Sequence, residues 1–178
     1  MVSTVLDVSR LEAGDMPLHR SECDLHAVIE DAIRSVHSLM PADHVCYYAL
    51  PEPLILSCDT NLVRRILINL ISNAIKFSTS DDEVTVQVED TGSQMRVAVT
   101  DTGPGIPPDY QEKIFEKFGQ AETGQKKGYA TGLGLTFCKL AVEAHGGAIG
   151  VDSVVSEGST FWFILPKNPD TSESDYDT

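Results

Sequence analysis

A row of polar side chains along one edge of an apolar segment is the part of this sequence best suited to chemistry. Residues 61–77, NLVRRILINLISNAIKF, repeat their apolar residues at helical spacing, which predicts a helix with one buried face. Asn69, Asn73 and Lys76 are four and three residues apart, so they share one stripe beside that face. Carboxamide oxygens suit a Mg²⁺ ion that keeps water and phosphate ligands, and a lysine ammonium suits phosphate. The alternative is a half-buried amphipathic helix whose polar edge binds nothing.

The loop 101–105, Asp-Thr-Gly-Pro-Gly, is a second candidate for binding chemistry, because it follows an apolar segment with the alternation of a strand. An ionised carboxylate only accepts hydrogen bonds, so Asp101 could accept one from an exocyclic amine such as adenine N6. Guanine has an oxygen at that position and would not donate. The glycines would let a flat base approach the backbone. Taken alone, the loop fits a simple Asp-x-Gly turn better than a binding loop.

Two further glycine segments precede regular elements. Residues 131–135, Thr-Gly-Leu-Gly-Leu, open a helical pattern, and the N-terminus of a helix presents free N–H groups to phosphate. Residues 158–160, Gly-Ser-Thr, precede the last strand-like segment. A Walker A loop is excluded because Gln125 follows Gly124 where that motif needs lysine, and no GxGxxG fingerprint is present. Without a ligand, each segment would be an ordinary glycine-rich start of an element.

Composition restricts the classes of partner. The chain has 178 residues and a formal net charge of −14, which argues against nucleic acid or an anionic membrane as its main partner. Its four cysteines are scattered without a CxxC pair, so we expect reduced thiols and neither a zinc site nor a disulfide framework. No apolar run reaches the roughly 18 residues of a membrane span, and no signal peptide is evident, so we expect a cytoplasmic location without membrane contact by this chain.

The remaining patterns predict helices separated by pairs of strands. Residues 1–13 predict the end of an amphipathic helix with Val2, Val5, Leu6 and Ser9 on one face, ended by Gly14. Further helices are expected over 25–39, with Asp24 as N-cap, and over 108–117 and 132–145. Strands are expected over 45–50, 54–58, 83–89, 95–100, 148–154 and 158–165. Adjacent antiparallel strand pairs with helices between them favour an α+β sheet covered by helices on one face.

These motifs, taken together and in this order, resemble one family. Asn69-x-x-x-Asn73, the 101–106 loop, Phe115–Phe118, the 131–135 segment and Gly158-Ser-Thr are similar to the N, G1, F, G2 and G3 boxes of the catalytic ATP-binding (HATPase_c) domain of sensor histidine kinases. That domain belongs to the GHKL superfamily. The resemblance covers residues 20–166 and implies a two-layer α/β sandwich, in which three helices cover one face of a mixed five-stranded sheet. Residues 6–14 resemble the end of the second helix of the dimerisation and phosphoacceptor domain of these kinases.

The resemblance implies a role for each matching residue in binding ATP and Mg²⁺. Asn73 would ligate Mg²⁺, Asn69 would lie beside the metal and phosphates, and Lys76 would contact phosphate, so these residues would be the catalytic ones. Asp101 would bind the adenine amine. Segment 119–131, with Lys126 and Lys127, would be a lid over the ATP, anchored by the region of Phe115 and Phe118, and Gly132 and Gly134 would be its hinge and phosphate seat. The other expected ligand contacts are Gly103, Gly105 and Ile106 around the base, Thr160 near the adenine, and Thr131, Leu133 and Leu135 in the second glycine segment.

The resemblance also divides the chain and implies its partners. Residues 1–19 would be the remnant of the phosphoacceptor helix and a linker, 20–166 the catalytic domain, and 167–178 an acidic disordered tail or linker. The implied partners are a dimerisation and phosphoacceptor domain and the receiver domain of a response regulator. None of the five histidines has the acidic residue and arginine that follow a phosphoacceptor histidine in this family. We therefore expect a largely monomeric fragment that does not phosphorylate itself.

Two other functions remain open at the sequence level. A nucleotide-sensing or docking module could retain the pocket without kinase activity. An ATPase of the same superfamily would have a glutamate where this chain has Asn69, because hydrolysis needs a general base and a carboxamide cannot serve as one. The favoured function is therefore transfer of the ATP γ-phosphate to a histidine.

The lid segment gives the first testable prediction. Residues 119–131, GQAETGQKKGYAT, have almost nothing to bury against a backbone entropy cost of roughly 1–2 kcal/mol per residue, so ligand contacts should be needed to order them. Trypsin should cut the ligand-free protein first after Lys126 or Lys127. A non-hydrolysable ATP analogue with Mg²⁺ should slow that cleavage more than ADP does. Equal cleavage rates in all three states would contradict a role for these lysines in binding triphosphate.

Overall fold

The computed structural model describes residues 2–37, 45–50, 52–78, 83–119 and 132–168. Its helices are α1 (Val2–Ala13), α2 (Leu25–His37), α3 (Thr60–Phe77), α4 (Pro108–Gln111) and α5 (Gly134–Ala144), with a 3₁₀ turn at Lys113–Phe115. Its strands are β1 (Ser21–Asp24), β2 (Val45–Tyr48), β3 (Ile55–Cys58), β4 (Val84–Asp90), β5 (Gln94–Asp101), β6 (Ala148–Val154) and β7 (Gly158–Pro166).

The main sheet has five strands in the order β2-β4-β5-β7-β6. Strands β4 and β5 form one antiparallel hairpin, β6 and β7 form another, and β5 pairs with β7 between them. Strand β2 joins the edge parallel to β4. The sheet is therefore mixed, as the resemblance implies, and the predicted α+β class is confirmed.

The prediction that residues 45–50 and 54–58 belong to one antiparallel pair is wrong. Strand β2 lies in the main sheet, whereas β3 pairs with β1 in a separate two-stranded sheet, with Cys23 opposite Leu56. Strand β1 is not predictable from a local pattern, because Ser-Glu-Cys-Asp has no apolar alternation. Partners distant in the chain decided both pairings, and local patterns do not carry that information.

The core forms where α3 crosses the sheet between α2 and α5. Seven apolar side chains of α3 are buried: Leu62, Val63, Ile66, Leu67, Leu70, Ile71 and Ala74. They belong to one hydrophobic cluster with the inward-facing residues of the sheet, including Val97, Val99 and Phe163. The predicted buried face is confirmed except at its end, where Phe77 is 47% exposed. Within the described residues, no helix is long and apolar enough to cross a membrane.

Helix α1 packs against α5 through a face that differs from the predicted one. Val8 is buried, whereas Val5 and Leu6 are 51% and 55% exposed. The same side of the helix carries two ion pairs to the rest of the fold, Asp7 with Arg65 at 2.9 Å and Glu12 with Lys117 at 2.6 Å. Few apolar residues define the stripe, so the position of α5 rather than periodicity decides which side of α1 is covered.

A buried hydrogen-bond network fixes the start of α3. The Asp59 carboxylate accepts hydrogen bonds from the backbone N–H groups of Asn61 and Leu62, which caps the helix, and another from His19 N–H at 3.0 Å. The Asp59 N–H donates to His145 Nε2 at 3.0 Å, while His145 Nδ1 donates to the Ala141 carbonyl. Burial lowers the pKa of His145, which keeps the ring neutral and able to accept this bond. The first turn of α3 is thereby joined to the last turn of α5.

The ordered chain continues past the predicted boundary at residue 166. Lys167 N–H donates to the Ser93 carbonyl, and the Lys167 carbonyl accepts from Ser57 N–H. The Lys167 ammonium also pairs with the Asp90 carboxylate at 2.6 Å. These bonds join Lys167 to the edge of the sheet, while residues 169–178 lie outside the described residues.

Replacing Asp59 by alanine should destabilise the protein. The substitution leaves the capped N–H groups of α3 without their acceptor, a loss of about 1–2 kcal/mol in the free energy of unfolding. Urea unfolding followed by circular dichroism measures this change. Asp109→Ala, at an exposed position in the first turn of α4, serves as the control and should change the free energy by no more than about 0.5 kcal/mol. Equal effects of the two substitutions would contradict a structural role for the Asp59 network.

Candidate nucleotide-binding site

The polar stripe of α3 lies at the margin of the core, as predicted. Asn69 and Asn73 are half-buried, and Lys76 is exposed with its ammonium 5.4 Å from the ring centroid of Phe77. The Asn69 side-chain nitrogen donates to the Arg65 carbonyl at 2.9 Å, which fixes the carboxamide on the helix surface. The stripe therefore presents two carboxamides and an ammonium along one line.

The second glycine segment lies against this stripe. A Cβ atom added at Gly134 would be 2.9 Å from Asn69 Oδ1, so the start of α5 directly abuts the Asn69 side chain. No side chain within the described residues caps α5, and its first backbone bond joins Phe137 N–H to the Leu133 carbonyl. The N–H groups in the first turn thus point away from the helix body, which suits an anion. Leu133 is buried and Leu135 packs at the edge of the core, so both anchor this turn.

The first glycine segment lies at the other end of the stripe. A Cβ atom at Gly103 would be 2.8 Å from the Phe77 carbonyl oxygen. Gly105 has φ +70°, and a Cβ there would be 2.1 Å from the Val154 carbonyl oxygen. The Gly105 position combines a left-handed backbone with close contact, so only glycine fits without rearrangement.

Asp101 is buried at the end of β5 and faces the helix layer. Its Oδ1 accepts a hydrogen bond from Gly103 N–H at 2.9 Å. Burial raises the pKa of Asp101, while hydrogen bonds from the N–H groups of Gly103 and Ser159 act in the opposite direction. A buried carboxylate with free lone pairs is a strong acceptor for an amine that enters the pocket.

Two polar residues outside the predicted motifs, Ser153 and Gln111, hold the loop in place. Ile106 N–H donates to Ser153 Oγ at 2.8 Å. Gln111 Nε2 donates to the Ile106 carbonyl at 3.0 Å and to the Ser153 carbonyl at 2.9 Å. Ser153 Oγ also lies 2.9 Å from Ser159 Oγ. Ser153 is a polar residue on the inward side of a predicted strand. That position is the sequence feature that could have indicated this cluster.

The predicted contact of Thr160 with the base stays a prediction, but Thr160 and Asp101 lie on opposite faces of the sheet. Asp101 pairs with Ser159 across β5 and β7, whereas Thr160 pairs with Thr100. Side chains alternate between the faces of a sheet, so Thr160 points away from Asp101, and its Oγ1 lies 3.0 Å from Thr100 Oγ1. Ser159 is the residue of this motif on the same face as Asp101. The motif names two neighbouring residues, and the sequence alone does not determine which of them shares a sheet face with Asp101.

Phe118 and Gly132 border the predicted lid and contact each other. Phe118 N–H donates to the Gly132 carbonyl at 3.2 Å, and both residues have positive φ, +59° and +65°. The Phe118 side chain is 70% exposed. A Cβ at Gly132 would be 2.7 Å from Phe118 Cα, so the two ends of the segment converge. Lys126, Lys127 and Thr131 lie outside the described residues, and the lid stays a prediction.

The donor set fits a metal ion that is shared with a ligand. No cluster of three histidine, cysteine or carboxylate ligands occurs in the part of the chain that the structure describes. The carboxamide of Asn73 offers one neutral oxygen, which suits Mg²⁺ when water and phosphate oxygens supply the other ligands. Such a site needs the nucleotide to be complete.

Comparison with known proteins identifies the family. Residues 58–169 match the family model described as histidine kinase-, DNA gyrase B- and HSP90-like ATPase. The chain belongs to this family of ATPase-like domains. The match begins immediately before α3 and includes both glycine segments, so the matched region contains the site described above.

Similar proteins place this ATPase-like domain among sensor kinases. The adaptive-response sensory kinase SasA of Crocosphaera subtropica is 33% identical over 170 residues, which cover 93% of this chain and 44% of that protein. The full-length ShkA structure in complex with AMPPNP is 30% identical with a TM-score of 0.79, covering 93% of this chain and 35% of that one. Histidine kinase ThkA in complex with the response regulator TrrA is 26% identical with a TM-score of 0.72, covering 96% and 49%. The chain thus spans less than half the length of these relatives.

The orientation of the 158–160 turn gives a paired prediction. Ser159→Ala should weaken ATP binding about three- to tenfold, because it removes a hydroxyl from the Asp101 side of the sheet, a loss of about 1 kcal/mol. Thr160→Val removes a hydroxyl from the opposite face and should leave ATP affinity unchanged. Calorimetric titration of both variants measures the difference. The opposite result, with Thr160→Val as the weaker binder, would contradict the assignment by sheet face.

Proposed function

We propose that this chain is the ATP-binding catalytic domain of a sensor histidine kinase, which transfers the γ-phosphate of ATP to a histidine on a helical dimerisation domain. The family match and the sensor-kinase relatives support the class. One structural observation carries the mechanism: α3 runs between the two glycine segments. Asn69 abuts Gly134 and the Phe77 carbonyl abuts Gly103, with Asn73 and Lys76 between them. This arrangement can accommodate phosphates at one end and a base at the other.

Each group around α3 has a part in this proposal. The Asp101 carboxylate accepts from the adenine amine, with Ile106 and the two glycines of its loop beside the base. Asn73 ligates Mg²⁺, which neutralises phosphate charge when it is bound. Asn69 and Lys76 orient the phosphates, and the first N–H groups of α5 donate hydrogen bonds to the phosphate oxygens. Phosphoryl transfer needs chiefly positioning and charge neutralisation, and these groups provide both.

Asn69 favours transfer over hydrolysis. A hydrolytic site needs a base to activate water, and a carboxamide cannot remove a proton at neutral pH. The Asn69 nitrogen is moreover engaged with the Arg65 carbonyl, so its oxygen is the group directed towards the start of α5. Bound ATP would therefore persist until an acceptor histidine arrives.

The contacts of Lys167 support one boundary of the proposed division of the chain. We assign residues 20–168 to the catalytic domain, because Lys167 is bonded into the sheet edge, and α1 to the end of a preceding phosphoacceptor helix. The kinase–regulator complex among the similar structures supports a response regulator receiver domain as a partner. A nucleotide-binding module without kinase activity is the second candidate function.

A phosphotransfer assay separates these two functions. The dimerisation domain of a related kinase, with its histidine, is fused ahead of α1 so that the helix continues, and the chimaera is incubated with γ-labelled ATP. Acid-labile, base-stable label should appear on the added domain, and Asn73→Ala should abolish it. Asn61→Ala, an exposed position on the same helix, is the matched control and should retain activity. A chimaera that binds ATP but acquires no label would support the non-catalytic module.

Discrimination between bases tests Asp101 directly. Wild-type protein with Mg²⁺ should bind ATP in preference to GTP, because guanine lacks the amine that Asp101 accepts. Asp101→Ala should weaken ATP binding tenfold or more, since losing a hydrogen bond to a charged group costs roughly 1.5–3 kcal/mol. Calorimetry with both nucleotides measures this. Equal affinity of the wild type for ATP and GTP would refute the role of Asp101.

A further inference from the structure

Two cysteines meet outside the nucleotide site, where β1 pairs with β3. Ser21 lies opposite Cys58 and Cys23 lies opposite Leu56, so the two cysteines are diagonal neighbours on one face of the small sheet. Their sulfur atoms are 2.8 Å apart and share a hydrogen bond, although the residues are 35 positions apart in sequence. Both thiols are free. A small side-chain movement would bring the two sulfur atoms to the ~2.05 Å bond length of a disulfide.

The two thiols have different environments. Cys23 is partly exposed, whereas Cys58 is fully buried. A hydrogen bond from the Cys58 thiol lowers the pKa of Cys23 to about 7, and the Thr60 hydroxyl acts in the same direction, against burial and the charge of Asp24. The bond to Cys23 and burial raise the pKa of Cys58, as do the charges of Cys23 and Asp59. At neutral pH, Cys23 therefore supplies an accessible thiolate and Cys58 remains a protonated neighbour.

We propose that Cys23 and Cys58 are a reversible redox site that forms a disulfide on exposure to a hydroperoxide. The Cys23 thiolate attacks one oxygen of hydrogen peroxide, the O–O bond breaks, and hydroxide leaves, so that Cys23 becomes a sulfenic acid. The Cys58 sulfur then attacks the Cys23 sulfur, and the S–O bond breaks. The thiol proton and the departing hydroxyl leave together as water. The two sulfurs lose two electrons in total and the peroxide gains them.

The bond would act on the helix that carries the proposed phosphate site. Cys58 directly precedes Asp59, which caps α3 and binds His145 through its N–H group. A disulfide would tie β1 to this junction and restrict the unfolded chain between the two cysteines. Such a cross-link should raise the midpoint of thermal unfolding by roughly 5–10 °C.

Disulfide mapping of the wild-type protein tests the proposal. Protein treated with hydrogen peroxide at pH 7 is alkylated, digested without reductant and analysed by mass spectrometry, and its thermal midpoint is recorded. The peptide pair linked through Cys23 and Cys58 should appear before any modification of Cys46 or Cys138. Dithiothreitol should remove the link and restore the original midpoint. Oxidation of Cys46 ahead of Cys23, or Cys23 left reduced when free cysteine in the same tube is oxidised, would overturn the proposal.

A substitution at Cys58 separates the attacking role of Cys23 from the resolving role of Cys58. Cys58→Ser retains a hydroxyl donor but removes the second sulfur, so a dimedone-reactive sulfenic acid should accumulate at Cys23. Cys46→Ser serves as the control, since this residue lies on β2 away from the pair, and should form the disulfide at the wild-type rate. Dimedone labelling at Cys23 that is no greater in Cys58→Ser than in the wild type would contradict the resolving role. The mapping of the wild-type protein needs no variant and stands if Cys58→Ser fails to fold.

Discussion

The structure depends above all on the fixed position of α3 between the sheet and two flanking helices. Seven of its side chains are buried, and its first turn is held by Asp59, which joins it to His145 at the end of α5. A helix that is fixed at these points keeps its polar edge at a constant distance from the sheet. Asn69 and Asn73 can then face a ligand without their own backbone moving, which is the condition for catalysis by positioning.

The second constraint is that the backbone of two loops approaches α3 closely. Glycine allows this approach at both ends of the polar stripe. A side chain at Gly134 would displace the Asn69 carboxamide, and one at Gly103 would collide with the Phe77 carbonyl. The glycines therefore do more than shape turns, because they set the distance between each loop and the helix. Each loop can approach α3 this closely only because it lacks a side chain at its point of contact.

Local patterns in the sequence were sufficient for elements whose partners are near in the chain. The buried face of α3 and the hairpin of β4 and β5 follow from periodicity. Features decided by distant partners were not predictable in this way: β1 has no apolar pattern, and the buried side of α1 depends on α5. Thr160 shows a further limit of prediction from sequence. Neighbouring residues on a strand point to opposite faces of the sheet, so a motif that names two neighbours does not say which one faces the site.

Nuclear magnetic resonance with Mn²⁺ in place of Mg²⁺ tests most directly whether α3 holds the metal and phosphates. With a non-hydrolysable ATP analogue bound, Mn²⁺ should broaden the side-chain amide signal of Asn73 first and that of Asn69 next. Asn61 lies about 18 Å from Asn73 along the helix and should keep its signal at the same Mn²⁺ concentration. Equal broadening of Asn61 and Asn73, or none at Asn73, would contradict the account of α3 as the metal- and phosphate-binding element.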